Sequence, residues 1–537
     1  MKVIRDDLVR CVYVYTALTF FGQAFRLKDQ KSLNRLYTKS MATESIDEFW
    51  SHSWQLGPRK KILCLLFLKN GLASSIAGTF AAIIAAALTR NGTLPNLSPY
   101  GRFPIWCTVS GMTFAALTLV FWQSRVKVFL DICCIHQSDN QRKMEGIVSL
   151  GGILKRSKTM LILWDPTYAE RLWCIFELAA FLRSRGDDKS QTFVRPNLLG
   201  FCALGLYVLI PLNGLVLLGT NDYPELLYGM FFVGICPFFY LLVSAFRSYH
   251  FAVEIFHRQV RDFRVADSKC HCCSVGHVAE DGSRLPCDRE IVVGCIQNWF
   301  GSVEAFEREV STLLSTNVSR QLGQDIFPFR YCQVVGCPVI WTGLDLSLGS
   351  LGCPGWPEYW LIVSMGVFLW VVPWVAKVLT WITKSWRRPR GRWDVLINSS
   401  IGLVMTAALA VGFLATTLLS ETHLLSEWLG TRDPNRIEQY WETLEIRAWI
   451  YFALQAFLAL MMWSCDFVRG EPESNELTFL QRTCRGVMAV GGNALVVSLV
   501  VGLMFFLREL LKGNLGEWLT GTDVVCFDLK ISNETRM

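Results

Sequence analysis

The sequence predicts a mainly α-helical, polytopic membrane protein with about eight or nine transmembrane helices and one small cytosolic α/β unit. Only 18% of the 537 residues are charged, and the mean hydropathy of +0.32 is too high for a water-soluble globule of this size. Apolar runs long enough to cross a bilayer recur along the chain, at 68–89, 103–122, 197–218, 227–246, 358–380, 396–419, 448–464 and 485–507.

Lysine and arginine residues near the ends of these runs predict the orientation. They are concentrated in 1–61, in 123–196 and in the segment 384–392, and such clusters favour the cytosolic side. A weaker apolar run, 332–352, contains Asp345. It must also cross if the arginine-rich segment is to be cytosolic, which predicts nine crossings.

The predicted organisation follows in chain order. It comprises a cytosolic N-terminal segment (1–61), a transmembrane hairpin (62–122), an α/β unit (123–196), a second hairpin (197–246), a cytosolic Cys/His-containing segment (247–331), a C-terminal transmembrane bundle (332–507) and a non-cytosolic tail (508–537). Within the first segment, the short apolar run Cys11–Phe21 is predicted to be an interfacial or packed helix, because a bilayer span needs about 20 residues.

Strand and helix patterns alternate on both sides of the first hairpin. A strand at 48–50 precedes the polar and aromatic residues Ser51, His52, Ser53 and Trp54, and a β-branched strand at 126–130 ends at Asp131. A helix at 145–158, a strand at 160–164 and a helix opened by Asp165-Pro166 follow, with Thr167 and Glu170 at capping-box spacing. This alternation predicts a parallel sheet with ligand groups at the carboxyl ends of its strands.

The words FWSHSW, VFLD and YAERLWCIFEL, in that order, resemble the Toll/interleukin-1 receptor (TIR) domain. The LDICCIHQ stretch has a more distant likeness to fungal heterokaryon-incompatibility domains. The TIR likeness covers roughly 85 residues in two pieces. It departs from the family in its first helix, which a transmembrane hairpin replaces, and after Arg185, where only one more strand (191–194) fits before the next span.

The resemblance implies a possible enzymatic site. In enzymatic TIR domains the glutamate of the last motif cleaves the glycosidic bond of NAD, and the corresponding residue here is Glu177. The same likeness implies self-association through the α/β unit, hence a homo-oligomer. The candidate residues for binding a cofactor or NAD beside Glu177 are Ser51, His52, Trp54, Asp131 and Trp173. The alternatives are that Glu177 pairs with an arginine, that Trp173 simply packs, and that Asp131 caps its loop.

The second cytosolic segment contains a cysteine cluster, KCHCCSVGH, followed by Cys287. Cys270 and Cys273 have C-x2-C spacing and His277 lies four residues further on, so with Cys287 they are candidate ligands of a zinc ion. Free buried thiols and palmitoylation of Cys272 or Cys273 are the alternatives. The stretch 296–314 is predicted to be one amphipathic helix that packs on the α/β unit or on the bilayer surface.

Three classes of function remain open. The first is a membrane signalling or scaffold protein whose TIR-like unit binds a partner or a nucleotide, and the second is an NAD+ hydrolase that uses Glu177. The third is a transporter or channel, for which Asp345 is the main ionisable candidate within the spans. The lipid bilayer is a partner in each case, and no nucleic-acid-binding module is predicted.

Overall fold

A computed structural model describes residues 3–420. The undescribed positions within this range are 28, 56, 96–102, 186–190, 221–223, 279–286, 315–317, 319–320, 323–325 and 352–355. The predicted spans at 448–464 and 485–507 and the tail at 508–537 lie outside the described residues. Within them, the chain is mainly helical and has one small mixed sheet.

The described sheet has six strands in the order β2-β1-β4-β3-β5-β6. They are β1 (Arg10–Tyr13), β2 (Met41–Ala42), β3 (Ile46–His52), β4 (Lys127–Phe129), β5 (Ser157–Trp164) and β6 (Thr192–Pro196). Strands β4, β3, β5 and β6 are parallel, whereas β1 pairs antiparallel with β4 and with β2. The prediction of an all-parallel sheet was therefore wrong at one edge, where residues 10–13 form a strand and not the start of a helix.

The helices of the N-terminal half connect these strands. They are α1 (Val14–Gly22), α2 (Gln30–Thr38), α3 (Pro58–Arg90), α4 (Trp106–Phe121), α5 (Asp131–Cys134), α6 (Asn140–Val148), α7 (Leu150–Arg156) and α8 (Leu172–Ser184). The single helix expected at 145–158 is thus two helices, and β5 begins at Ser157. The expected capping box is also absent, because a 3-10 turn at Tyr168–Glu170 comes first and α8 begins after Arg171.

A helical hairpin stands where a parallel sheet normally has a single crossover helix. Between the neighbouring strands β3 and β4 the chain forms two antiparallel helices, first α3 and then α4. The amide of Asn70 donates to the Leu119 carbonyl (2.9 Å), and the Ser74 hydroxyl donates to the Ala115 carbonyl (2.7 Å), as expected of antiparallel helices. The predicted return of the chain to the sheet after this hairpin is confirmed.

The remaining described helices follow β6. They are α9 (Leu198–Thr220), α10 (Pro224–Arg261), α11 (His271–Ser274), α12 (Asp288–Phe300), α13 (Val303–Leu313), α14 (Phe329–Gly349), α15 (Trp356–Gly366), α16 (Val372–Ser385) and α17 (Trp393–Ser420), with a π-helical stretch (Val367–Val371) joining α15 to α16. The single helix expected at 296–314 is broken at Gly301, whose φ of +86° ends α12. The first of the two helices, α12, packs on the α/β unit as predicted for this segment, since Trp299 stacks on Phe176 of α8.

Three described helices have the length and apolar composition of membrane spans, namely Pro58–Arg90, Leu198–Leu218 and Pro357–Ser385. Trp106–Phe121 and Trp393–Ala407 are apolar but shorter. The described part of the chain therefore shows three candidate spans, fewer than the eight or nine predicted from the whole sequence.

Two buried clusters divide the interior. One contains the sheet, α8 and the first turns of α3, including Phe49, Leu65 and Phe129. The other lies among α3, α4, α14 and α15 and is centred on Trp341, which is fully buried. Because α3 contributes to both clusters, its first turns serve as the crossover helix of the sheet before the helix continues into the apolar bundle.

Candidate functional site

The order of the parallel strands locates the candidate site. In chain order β3, β4, β5 and β6 occupy positions 2-1-3-4 of the sheet, which is the flavodoxin-like order. In such sheets the crossover connections leave the first and third strands in opposite directions, and ligands bind beside their carboxyl ends. That point lies here between β3 and β5, where His52 is level with Leu163.

Three of the polar side chains at this edge form one hydrogen-bonded group. The hydroxyl of Ser51 donates to Oε2 of Glu177 (2.7 Å) and also lies 2.8 Å from the Tyr168 hydroxyl. The Tyr168 hydroxyl donates in turn to the Cys174 carbonyl at 3.1 Å. Ser51 and Tyr168 are buried, so the carboxylate of Glu177 lies against the interior, while the Glu177 residue as a whole keeps some accessible surface.

Burial has a large effect on the Glu177 carboxyl. Desolvation raises its pKa to about 8, although the hydrogen bond from Ser51 acts in the opposite direction. The arginine partner considered from the sequence is not the one found, since the contact that this carboxylate makes is with a serine. At neutral pH the group is therefore mainly a carboxylic acid, which can donate a hydrogen bond or a proton.

The aromatic side of the site is built on His52. Its ring lies edge-on to Trp54 (4.4 Å) and to Phe25 (5.5 Å), a residue that the sequence did not single out. Its Nε2 is buried with no hydrogen-bond partner among the described residues, and burial lowers the His52 pKa to about 4. His52 is therefore a neutral imidazole here.

Asp131 fixes the neighbouring loop. One carboxylate oxygen accepts from the Trp54 indole nitrogen (2.8 Å) and the other from the Ile132 amide (2.8 Å). These contacts fit the structural role weighed for Asp131, and they also bring Trp54 to the same edge as Ser51.

Asp165 is a member of the site that sequence reasoning used only as a helix cap. It is 2% exposed, and its Oδ1 accepts from the Thr167 amide at 2.9 Å. Its Oδ2 is buried with no partner among the described residues, and burial raises the Asp165 pKa. Thr167 also contacts the Ser53 hydroxyl (2.9 Å), which joins the ends of β3 and β5. The position directly after a buried strand is the sequence feature that marks Asp165.

Trp173, which was also predicted to bind a ligand, makes mainly packing contacts. Its ring lies edge-on to Phe176 at 5.9 Å, and the side chain is half-buried against the main cluster. Phe181, four residues after Glu177 on the same helix, is fully buried in the core.

The second constellation is a cysteine–histidine cluster. Ligand atoms of Cys272, Cys273, His277 and Cys287 all lie within 4.8 Å of one another. Cys273 Sγ is 3.9 Å from Cys272 Sγ, 3.7 Å from His277 Nε2 and 3.9 Å from Cys287 Sγ. With Zn–S bonds of about 2.3 Å and Zn–N bonds of about 2.0 Å, the edges of a tetrahedral site are about 3.6–3.8 Å. The spacing of these atoms is close to that of a four-coordinate metal site.

One predicted metal ligand is replaced in this cluster. Cys270, chosen for its C-x2-C spacing, lies 3.4 Å from Cys272 Sγ and groups with Cys272 and Asp288. Cys272 is the fourth member of the group of candidate ligands because the short helix α11 puts residues 272 and 273 side by side. Gly276 and His277, both with positive φ, then turn the histidine back toward Cys273.

The cluster is attached to the α/β unit through Lys269. The Lys269 amide donates to the Glu170 carbonyl (2.6 Å), and the Lys269 carbonyl accepts from the amide of Leu172 (3.3 Å), the first residue of α8. Its ammonium forms an ion pair with Glu170 (2.6 Å). The segment that precedes the cysteines is thus joined to the start of the helix that carries Glu177.

Comparison with protein-family models, with curated proteins and with solved structures found no match for this chain. The fold by itself therefore defines the class of protein: it is mainly helical, with a small mixed sheet and helices of membrane-spanning length. Chemically, its polar edge offers hydroxyls, a neutral imidazole and a protonated carboxyl, and its second cluster can hold a metal ion.

Proposed function

We propose that this chain is a multi-pass membrane protein whose TIR-like α/β unit faces the cytosol and binds a nucleotide in a signalling role. The observation that carries the proposal is the convergence of Ser51, His52, Asp165 and Glu177 at the β3–β5 edge. Two of these side chains have buried polar atoms without a partner among the described residues, and such atoms favour a ligand that supplies one. The flavodoxin-like strand order supports the same edge, since nucleotides bind there in such sheets.

The membrane part of the proposal keeps nine crossings. Its support is the hairpin of α14 with α15 and α16, in which Gln333 donates to the Phe368 carbonyl (3.1 Å) and Ser347 to the Pro357 carbonyl (3.0 Å). Because α14 lies antiparallel to a candidate span along most of its length, we expect it to cross the bilayer as well. Homo-oligomerisation through the α/β unit belongs to the same proposal.

Nucleotide binding is tested on the full-length protein in detergent. We expect NAD or another adenine nucleotide to raise the melting temperature of the wild type, and Ser51→Ala to reduce that shift. Ser45→Ala, on the exposed turn before β3, is the matched control. If no adenine nucleotide changes the melting temperature, the nucleotide proposal is wrong.

NAD cleavage by Glu177 is the second candidate. It is favoured by the Ser51 hydrogen bond, which holds the carboxyl at the strand edge. A carboxyl beside the nicotinamide ribose can bind its hydroxyls, and its ionised form can stabilise positive charge as the glycosidic bond breaks. Turnover of NAD by the wild type and by Glu177→Gln decides this point, and equal background rates would exclude it.

The contacts of Asp345, the main candidate residue for a transporter, do not favour a transport function. Asp345 on α14 accepts hydrogen bonds from the backbone amides of Cys107 (3.0 Å) and Thr108 (2.8 Å) at the start of α4. The first amides of a helix lack partners within it, so this carboxylate has a structural role as a cap supplied by a neighbouring helix. Uptake or current that disappears in Asp345→Asn would restore the transporter hypothesis.

The cofactor proposed for the cysteine–histidine cluster is zinc. Three thiolates and one imidazole form a common ligand set for structural zinc, and the measured separations are close to its tetrahedral edges. We expect about one zinc per chain, lost in Cys272→Ser and retained in Cys270→Ser. The pair of cysteine variants is decisive because the C-x2-C spacing alone predicts the opposite result.

A further inference from the structure

A cavity of about 280 Å³ lies between the start of α8 and the cysteine segment. Its lining comprises Gln55, Arg171, Ser268, Lys269, Cys270, Cys273, Ser274 and Arg289. Three of these side chains are cationic and none is acidic. The cavity is distinct from the hydrogen-bonded group of Ser51, Tyr168 and Glu177, none of which lines it.

The three cations are held there by different means. The guanidinium of Arg289 donates to the carbonyls of Val265 (2.7 Å) and Ala266 (3.1 Å), so it is fixed at the cavity wall. The ammonium of Lys269 is paired with Glu170. The guanidinium of Arg171 makes no ion pair or hydrogen bond with any residue that the structure describes, and it is the cation most able to bind a ligand.

The position of Arg171 adds to the positive potential. It is the N-cap of α8, it makes no side-chain capping bond, and the first turn of α8 contains no acidic residue. A helix N-terminus carries partial positive charge, so a cation at this position is unfavourable unless an anion is present. The pairing of Lys269 with Glu170 removes one charge, and a zinc ion bound by three thiolates offsets another. Asp288, the acidic neighbour of Cys270 and Cys272, offsets a third charge, so the cationic character of the cavity depends on Arg171.

We propose that this cavity is a binding site for a phosphate group. Arg171 makes the direct contact, Lys269 and Arg289 supply further charge, and the side-chain amide of Gln55 offers a hydrogen-bond donor. The volume is small for a whole ligand pocket, which typically measures about 300–1,000 Å³, and it suits the phosphate moiety of a larger molecule or a pyrophosphate. A soluble phosphate ester and a phosphoinositide headgroup share this chemistry.

The site depends on the cysteine cluster for its second wall. Cys270, Cys273 and Ser274 line the cavity, and Cys273 is also one of the four candidate metal ligands. The inference therefore rests in part on the proposed zinc ion: metal removal is expected to release residues 270–277 and open the wall. Phosphate binding and zinc content are measured separately, so failure of one is distinguishable from failure of the other.

The probe is inorganic pyrophosphate, titrated calorimetrically into the full-length protein in phosphatidylcholine nanodiscs. We expect saturable binding that weakens about tenfold or more in Arg171→Gln, as for loss of a charge-assisted hydrogen bond, and that weakens less in Arg171→Lys. Arg308→Gln, an exposed cation on α13, is the matched control and should bind as the wild type does. Zinc content should be the same in all three variants.

Two further arms complete the test. Zinc-stripped protein should lose pyrophosphate binding, and binding retained after stripping would overturn the metal dependence while leaving the Arg171 site. Nanodiscs containing phosphatidylinositol 4-phosphate should compete with pyrophosphate if the phosphate comes from a lipid, and not if it comes from a soluble ester. Absence of binding to zinc-loaded protein, or equal binding in Arg171→Gln and Arg308→Gln, would overturn the phosphate site itself.

Discussion

Glu177 is the only acidic residue of α8, and it combines a polar contact with an apolar setting. Its carboxyl faces Ser51 at the strand edge, while the side chains on either side of it in the helix, Phe176 and Leu178, are buried. Desolvation that raises its pKa to about 8 also makes its ionisation unfavourable for the folded state. The effect of this residue on stability should therefore depend on pH.

The pKa of Glu177 is higher in the folded protein than the value of 4.5 typical of an exposed glutamate, so between about pH 4.5 and 8 the folded state holds a proton that the unfolded state has lost. The contribution of Glu177 to the unfolding free energy accordingly falls as pH rises through this window, by up to about 1.4 kcal/mol per pH unit, and is constant above it. Glu177→Gln should lose this dependence and be more stable than the wild type at pH 8.5.

The measurement is the melting temperature of detergent-solubilised wild type and Glu177→Gln from pH 5 to 9. The difference between the two curves isolates Glu177 from His52. The depressed pKa of His52 acts in the opposite sense and increases stability as pH rises from about 4 to 6.5. Parallel curves across the whole range would show that the Glu177 carboxyl is not desolvated.

At the scale of elements, the N-terminus of α4 depends on a residue far away in sequence. Asp345 accepts from two backbone amides and from the Thr108 hydroxyl (2.8 Å), and it is fully buried. We expect Asp345→Ala to destabilise the protein by about 2–4 kcal/mol, because it leaves buried amides without an acceptor. Asp267→Ala, at an exposed position, is the control for loss of one carboxylate, and thermal denaturation of both variants gives the comparison.

Close helix contacts define a second prediction at this scale. A Cβ built on Gly200 of α9 would lie 2.2 Å from the Cys64 backbone nitrogen of α3, so the two helices touch through their main chains. Gly200→Ala should separate them and lower the melting temperature, since backbone atoms cannot move aside as a flexible side chain can. Gly294→Ala, where no atom lies within 4 Å, is the matched control and should be neutral or slightly stabilising. Equal melting temperatures for both variants would contradict the close approach.

Helix α3 explains how a sheet and a membrane hairpin share one connection. Its 33 residues span about 50 Å, whereas about 20 suffice to cross a bilayer. Lys69 on this helix, near the start of the apolar run 68–89, forms an ion pair with Glu48 of β3 (2.5 Å). The first turns of α3 thus pack against the sheet.

At the scale of the whole molecule, the arginine-rich segment is tied to the extension of α10. Arg247 donates to the Trp386 carbonyl (2.7 Å) and to Asp394 (2.7 Å), and Glu254 pairs with Arg387 (2.7 Å) and Arg388 (3.0 Å). These contacts place the end of α10 beside the segment 384–392. If the flanking helices cross a bilayer, both segments lie on one side of it, as the distribution of positive charge predicts.

A protease-protection experiment tests this arrangement. Cleavage sites inserted at three exposed glycine turns, Gly92, Gly301 and Gly391, should divide into two groups in sealed vesicles. Sites at Gly301 and Gly391 are expected to be cut from the cytosolic side, and the site at Gly92 only after the vesicles are opened. Protection of Gly301 and Gly391 on opposite sides would contradict both the contacts and the nine-crossing topology.

Sequence patterns identified candidate site residues at the strand ends better than those whose roles depend on contacts between distant elements. Ser51 and Asp131 were identifiable because each lies at the end of a strand pattern, and Glu177 because it interrupts an apolar helix; both are local features. Asp165 and Phe25 were not identified as site residues, since their roles come from buried contacts with other segments. Strand β1 was missed because the three apolar residues after Arg10 run directly into a helix and have no periodicity of their own.

The sequence by itself determined the apolar helices, the strand–helix alternation around the first hairpin and the presence of a cysteine-rich cluster, because composition and periodicity are local properties of the chain. Only the tertiary structure decided that β1 pairs antiparallel with β4, that Cys272 and not Cys270 lies in one group with Cys273, His277 and Cys287, and that Asp345 caps α4. The physical reason is the same in each case: strand pairing, ligand geometry and the satisfaction of buried amides depend on which distant residues meet, and such meetings leave no periodic pattern in the chain.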